Sequence, residues 1–348
     1  MGSTRRNVFA GLLATTTAAC LPTVQRRQSP LTGFQGPRFD VAAHRFVSFD
    51  GAPLGLSAWL PPEGQQPSAV IIGLHGMNDY AEATYYLMGP WMASRGVALY
   101  AYDARGFGRS PQRGVWGGQP LMTEDLRTAV NLARQMYPSA TLVVLGDSMG
   151  AAESIATFGA PNAPHIDRLV LCSPAVWGWS TLPEMYAITL WMGAHTFPWE
   201  AVQPPRNVVR RITPSDNVEM LRHIGRDRNM LFTTRIDALY GLVSLMETAS
   251  KRTANLQGDV AFLYGAKDQI IPRASAVRAA SRLPATARTA VYPDGYHMLI
   301  RDLHRELVYE DILSFIRDPA APFPSNAQPL RPEPGRAAPE THVAQANH

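Results

Sequence analysis

The sequence predicts an α/β protein with a mostly parallel, doubly wound sheet interrupted by one helical insertion. Three observations lead there. Short continuous apolar runs suit strands covered on both faces, helical patterns separate them, and the alternation stops between residues 176 and 255. The 348 residues are 46% hydrophobic and 17% charged, enough apolar material for a sizeable core and too much for a disordered chain. No run reaches the 18 or so apolar residues of a membrane-spanning helix.

The N-terminal segment is expected to stand outside the fold. Arg5-Arg6, an apolar stretch from Val8 to Ala14 and small residues ending at Ala18-Ala19-Cys20 have the layout of an export signal over residues 1–19. Ala18-Ala19-Cys20 resembles a bacterial lipobox, with Thr17 where an aliphatic residue is usual, and Thr4-Arg5-Arg6-Asn7-Val8-Phe9 resembles a weak twin-arginine signal. The resemblance implies that Cys20 is lipidated and that the protein is anchored to a membrane of the bacterial cell envelope. A secreted, periplasmic or cytoplasmic protein is the alternative. Residues 20–38, rich in Pro and Gly, read as a linker. Five of the 32 basic residues fall within residues 1–38, which hold no acid, leaving 27 basic against 28 acidic residues elsewhere. A near-neutral body lacks the basic face that nucleic acid demands.

The body reads as two parts of one core, residues 39–175 and 256–318, around an insertion at 176–255. Arg45–Phe49 and Leu54–Leu60 flank Asp50-Gly51 and predict an antiparallel hairpin. Strands are expected at Ala69–Leu74, Val97–Tyr102, Leu142–Leu145 and Leu169–Cys172, then at Val260–Tyr264 and Thr289–Tyr292. Leu126, Ala129, Val130 and Ala133 mark a helix, with Thr123 as its N-cap and Pro138 at its close. Helices are also expected over 273–281 and 303–316. The insertion shows no clear strand and carries Trp177, Trp179 and Trp191 among many aromatics and methionines, which as a lid would offer a ligand an apolar wall; as ordinary core helices it would simply bury them. Cys172, in an apolar run, is expected to be a buried free thiol, and the Pro-rich residues 319–348 a disordered tail.

The chemistry rests on three residues in order. Leu142–Leu145 runs into Gly146-Asp147-Ser148-Met149-Gly150 and then a helical stretch. That is a Gly-x-Ser-x-Gly at a strand-to-helix turn, where a serine sits in strained backbone at a helix N-terminus. A serine needs a base and the base an orienting carboxylate. Asp268 follows the strand ending at Tyr264-Gly265, and His297 follows the strand ending at Tyr292. Asp294 belongs to a Pro-Asp-Gly turn and His304 to a helix, so neither displaces them. No metal or organic cofactor is expected, because the chain has no His-Glu-x-x-His, no Cys-x-x-Cys and no phosphate-binding glycine fingerprint.

Leu74-His75-Gly76-Met77-Asn78, Tyr102-Asp103-Ala104-Arg105-Gly106, Gly146–Gly150, Gly265-Ala266-Lys267-Asp268 and Gly295-Tyr296-His297 together resemble the monoacylglycerol lipase and lysophospholipase group of serine α/β-hydrolases, over about residues 40–318. The resemblance implies the α/β-hydrolase fold with a helical lid. It implies Ser148 as nucleophile, His297 as base, Asp268 as its orienter, and backbone amides of Met77 and Met149 as an oxyanion hole. Asp103, Arg105 and His75 are then structural. Asp147 departs from the group, which often has histidine there, and its role stays open. The implied activity is hydrolysis of carboxylic esters of single-chain lipids, with no protein partner evident. A peptidase or amidase on the same scaffold and a catalytically silent, surface-tethered binding module are the alternatives.

Overall fold

The computed structural model describes residues 21–30, 32–203 and 211–331. The expected signal segment and Cys20 lie outside them. Nine strands form one sheet in the order β1-β2-β3-β5-β4-β6-β7-β10-β11. They are β1 (Arg38–Asp40), β2 (Arg45–Val47), β3 (Pro53–Trp59), β4 (Ala69–Leu74), β5 (Val97–Tyr102), β6 (Thr141–Asp147), β7 (Arg168–Cys172), β10 (Asp259–Gly265) and β11 (Arg288–Tyr292). β1, β2 and β3 pair antiparallel, as β3 does with β5, and the six strands from β5 to β11 run parallel. The hairpin pairs Phe46 with Leu54, as the Asp50-Gly51 turn predicted.

Alternate residues of the parallel strands serve two layers, which is why their sequences are apolar without a break. Val70, Ile72 and Leu74 of β4 join one core with helices α3 (Gln119–Met136) and α4 (Met149–Phe158). Ala69 and Ile71 join the other, with α1 (Ala81–Tyr85), α2 (Met88–Ala93) and α9 (Arg305–Arg317). α4, the helix behind the expected nucleophile, is buried along its whole length. β4 lies between β5 and β6, so the chain runs from β4 to β5 on one side and then crosses to β6 on the other. The crevice at the carboxyl ends of β4 and β6 is where such sheets bind ligands.

Several boundaries differ from those expected. α3 begins a turn before Thr123: Gly118, at φ 80°, precedes it, Pro120 occupies the first turn, and the Thr123 hydroxyl donates back to the Gln119 carbonyl at 2.9 Å. His304 is the N-cap of α9 and not an interior residue. The insertion contains α5 (Glu184–Thr196), α6 (Val218–Ile224), α7 (Ile236–Arg252) and a two-residue antiparallel ribbon, β8 (Ala201–Val202) with β9 (Thr234–Arg235). The ribbon was not expected, since neither strand is long enough to leave a pattern. α7 belongs to the main core, burying Leu245, Met246 and Ala249 beside α4 and α8 (Arg273–Ala280).

The ends of the described chain also pack more closely than a linker and a tail would. The Gln25 amide nitrogen donates to the Val115 carbonyl at 2.9 Å, and its backbone N–H to Trp116 at 2.8 Å. Gln28 N–H reaches Asp50 at 2.9 Å. Beyond α9, Phe323 and Leu330 are buried, Gln328 pairs with Val291, and Arg331 donates to the carbonyls of Leu283, Pro284, Ala285 and Ala287. A Pro-rich composition hid these contacts because few of the segment's residues are large and apolar.

Candidate active site

Ser148 stands between β6 and α4 at φ 52°, ψ −108°, backbone that a side chain adopts only under constraint. The constraint is visible on both sides: its N–H donates to the Cys172 carbonyl at 2.9 Å, and its own carbonyl accepts from Ala175 and from the first turn of α4. The flanking glycines answer to space. A Cβ on Gly146 would lie 2.5 Å from Ala151, and one on Gly150 2.5 Å from the Leu74 carbonyl oxygen.

His297 Nε2 is 3.0 Å from Ser148 Oγ, and His297 Nδ1 is 2.9 Å from Asp268 Oδ2. The other carboxylate oxygen of Asp268 accepts from the N–H groups of Ile270 and Ile271 at 2.8 and 2.9 Å. This network assigns the imidazole proton to Nδ1 and leaves Nε2 to accept the serine proton. Burial pushes the His297 pKa down, but the hydrogen bond and charge of Asp268, aided by the charge of Asp147, outweigh it and leave it raised. The three residues singled out from the sequence therefore meet, although 120 residues separate Ser148 from Asp268.

The loop expected to receive an oxyanion follows β4. His75 fixes it: Nδ1 bonds the Gly76 carbonyl at 2.7 Å and Nε2 accepts from Ala104 N–H at 2.9 Å. Desolvation lowers the pKa of this buried ring, in keeping with a neutral imidazole that both gives and accepts. Among the described residues, neither the Met77 nor the Met149 N–H makes a hydrogen bond. Asn78, at φ 63°, clamps the far side of the loop: its carbonyl accepts from Leu231 N–H at 2.9 Å and its side-chain amide donates to Thr234 Oγ1 at 2.6 Å. Sequence reasoning gave Asn78 no role, because its partners lie in the insertion.

Asp103 and Arg105 are bound into the framework, as expected. Asp103 accepts from the backbone of Ala81 and Arg109 and pairs with the Arg109 guanidinium. Arg105, wholly buried, bridges Asp50 at 2.8 Å and Asp125 at 2.7 Å. Asp294 pairs with Lys267 at the surface.

A cavity of about 220 Å³ opens beside Ser148 and His297, with Met77, Trp177, Leu242, Met246, Ile270 and Met298 among its apolar walls. Of the three tryptophans, Trp177 lines it. Trp179 is turned away to pack on Tyr240 and donate to Ser244 Oγ, and Trp191 is 53% exposed, stacked on His195. α5 is apolar on all sides and buries only Ala194, so its pattern could not show which face meets the body. Arg301 also borders the cavity and was missed; a cation after Met298-Leu299-Ile300, four residues beyond His297, is the sequence signal that could have found it. A larger open hollow of about 800 Å³, around Phe158–Leu169 and Ala254–Asp259, lies at the opposite, amino-terminal ends of β7 and β10. Its acids Asp167 and Asp259 are paired with Arg134 and Arg168. Among the described residues, no three or more His, Cys, Asp or Glu side chains converge as a metal's donors would.

A mostly parallel sheet with helices on both faces, and a strained serine at the turn from its central strand into a buried helix, define an α/β-hydrolase. Comparison with known proteins agrees. Residues 65–304 match the family described as serine aminopeptidase, S33. A monoacylglycerol lipase of Mycolicibacterium smegmatis is 26% identical over 294 residues, covering 78% of this chain and 96% of its own. A monoglyceride lipase of Rattus norvegicus is 29% identical over 131 residues, 37% of this chain and 42% of its own. Among solved structures, a monoglyceride lipase from Saccharomyces cerevisiae superposes with a TM-score of 0.66 at 18% identity, over 86% of this chain and 99% of its own. The chain belongs to this serine hydrolase family, which includes monoacylglycerol lipase homologues.

Proposed function

We propose that the protein is a serine carboxylic ester hydrolase acting on monoacylglycerols or similar single-chain lipids. The observation that carries this is the continuous chain Ser148 Oγ, His297 Nε2, His297 Nδ1, Asp268 Oδ2, with spacings of 3.0 and 2.9 Å, opening onto an apolar cavity. Ser148 Oγ attacks the ester carbonyl as Nε2 takes its proton. The developing oxyanion is received by the amides of Met77 and Met149, the second backed by the N-terminus of α4. The imidazolium returns the proton to the leaving alcohol, and water, activated by the same ring, frees the acid from Ser148. Asp268 holds the ring in the tautomer this needs.

The apolar walls and the lipases among the relatives support a lipid acyl chain. At about 220 Å³ the cavity lies below the roughly 300–1,000 Å³ of typical ligand sites, so long chains would require the insertion to move. For an aminopeptidase, an acid should be free to hold the substrate amine. Glu184 and Glu200, the candidates in the insertion, are exposed and do not line the cavity; the acid that does, Asp147, lies buried beside Ser148. We further propose that lipidation at Cys20 tethers the protein to a membrane of the bacterial envelope. The exposed Met185, Tyr186, Trp191 and Met192 of α5 suit an enzyme working beside lipid.

The test is fluorophosphonate labelling with a panel of lipid, p-nitrophenyl ester and amide substrates. Wild type should label and Ser148→Ala should neither label nor turn over esters while keeping its melting temperature; retained turnover refutes the nucleophile. Acyl chains from acetate to palmitate should favour medium or long lengths. A sharp preference for acetate removes the lipid reading, and amides outpacing esters would install the peptidase reading instead.

A further inference from the structure

Asp147, where the elbow departs from the group it resembles, has surroundings unlike those of the other buried acids. It ends β6, borders the cavity beside Ser148 and is 2% exposed. Its Oδ2 comes no nearer than 3.7 Å to Arg301, and its Oδ1 has no hydrogen-bond partner among the described residues. Arg301 is turned mainly to Asp79, which it meets at 2.7 Å, and donates to the Ala83 carbonyl at 3.2 Å, while its Nε has no hydrogen-bond partner among the described residues.

The other groups facing Asp147 donate no hydrogen bond to it, and Arg301 offsets its charge only across 3.7 Å. Tyr85 of α1 spends its hydroxyl on the Leu74 and Leu145 carbonyls, and its pKa is driven up by burial. Cys172, its neighbour on β7, is a buried thiol likewise pushed up. Asp79 is balanced by Arg301, and Asp268 is engaged by His297 and two amides. A carboxylate kept for architecture gathers donors, as Asp103 does with two amides and a guanidinium. Asp147 has only Arg301, at 3.7 Å.

We propose that Asp147 is a positioning residue that acts on the base through its charge, stabilising the imidazolium that His297 becomes while Ser148 attacks. This rests on Ser148 and His297 being the catalytic pair. Burial raises the Asp147 carboxyl to about 6. As pH falls, neutralising the carboxylate withdraws the charge that helps hold His297 raised, so the two protonations oppose each other and the acid limb of the rate profile is drawn out below the steepness of a single proton.

The experiment uses the full chain with Asp147→Asn, and Asp147→Ser should the amide variant not fold. Histidine NMR of the unliganded protein should show the His297 pKa falling by about one unit when the charge is removed. Turnover of p-nitrophenyl butyrate at pH 8 should fall roughly 3- to 10-fold, and the acid limb should tighten to a one-proton slope. An unshifted imidazole with an unchanged slope, in protein that still labels with fluorophosphonate, overturns the role of Asp147 alone. Wild-type protein that does not label at Ser148 overturns the catalytic reading and this inference together.

Discussion

Gly150→Ala tests whether the elbow and the loop carrying Met77 are held together by close approach. The added Cβ would lie 2.5 Å from the Leu74 carbonyl oxygen and 2.6 Å from the Leu74 carbonyl carbon and Cβ. Nothing there is a flexible tip: Leu74 closes β4, is hydrogen-bonded through Tyr85, and is followed directly by His75-Gly76-Met77. Backbone must therefore move by about half an ångström to restore even the tightest real contact. Overpacking of this kind costs about 1–3 kcal/mol in stability. If the movement carries the Met77 amide away from the oxyanion, kcat falls a further 10²- to 10³-fold, the usual cost of one lost donor. The assay is kcat and KM on p-nitrophenyl butyrate beside a calorimetric melting temperature. A few degrees lost, with kcat down at least a hundredfold and KM nearly unchanged, is the expected result. A variant with wild-type kcat and melting temperature would show that Leu74 and Gly150 are not packed as described.

Three other perturbations reach different parts of the molecule. Asp268→Asn keeps the shape of the carboxylate but can favour the wrong imidazole tautomer, and should lower kcat by about 10⁴ in steady-state assays with little change in melting temperature. Arg105→Gln strands Asp50 and Asp125 in the core and should cost about 3–5 kcal/mol by urea titration at pH 8. The loss should shrink toward pH 5: burial already raises Asp125 to about 6, above its unfolded value, so its charged form penalises folding as pH climbs through that interval and its neutral form does not. Asp147→Asn should stabilise the protein at pH 8 by about 3 kcal/mol, from a carboxyl raised from 3.8 to about 6, and by little at pH 4; equal stability at both would show that the carboxylate is not poorly solvated.

The sheet and the Ser148, Asp268, His297 set were legible because each depends on local pattern. β4 and β5 were delimited to the residue, since strands covered on both faces admit no polar interruption. The elbow was legible because steric crowding demands glycine at 146 and 150. What escaped depends on distant partners. Asn78 needs Leu231 and Thr234 to become a clamp, and Arg301 needs Asp79 to be tolerated in the core. Trp191 escaped for another reason: a helix with apolar residues on every side has no preferred face until the body it rests on is known.

The hydrogen bonds of Asn78 to the segment after α6 carry a consequence for any cycle of opening and closing. The carbonyl of Asn78, next after Met77, is fastened to Leu231 and its side-chain amide to Thr234, so a swing of that stretch would tug the Met77 amide, proposed to receive the anion, out of line. Stabilisation of charge would then depend on how that segment rests against the loop. Such a protein would idle whenever the strap is displaced and resume once it has settled again.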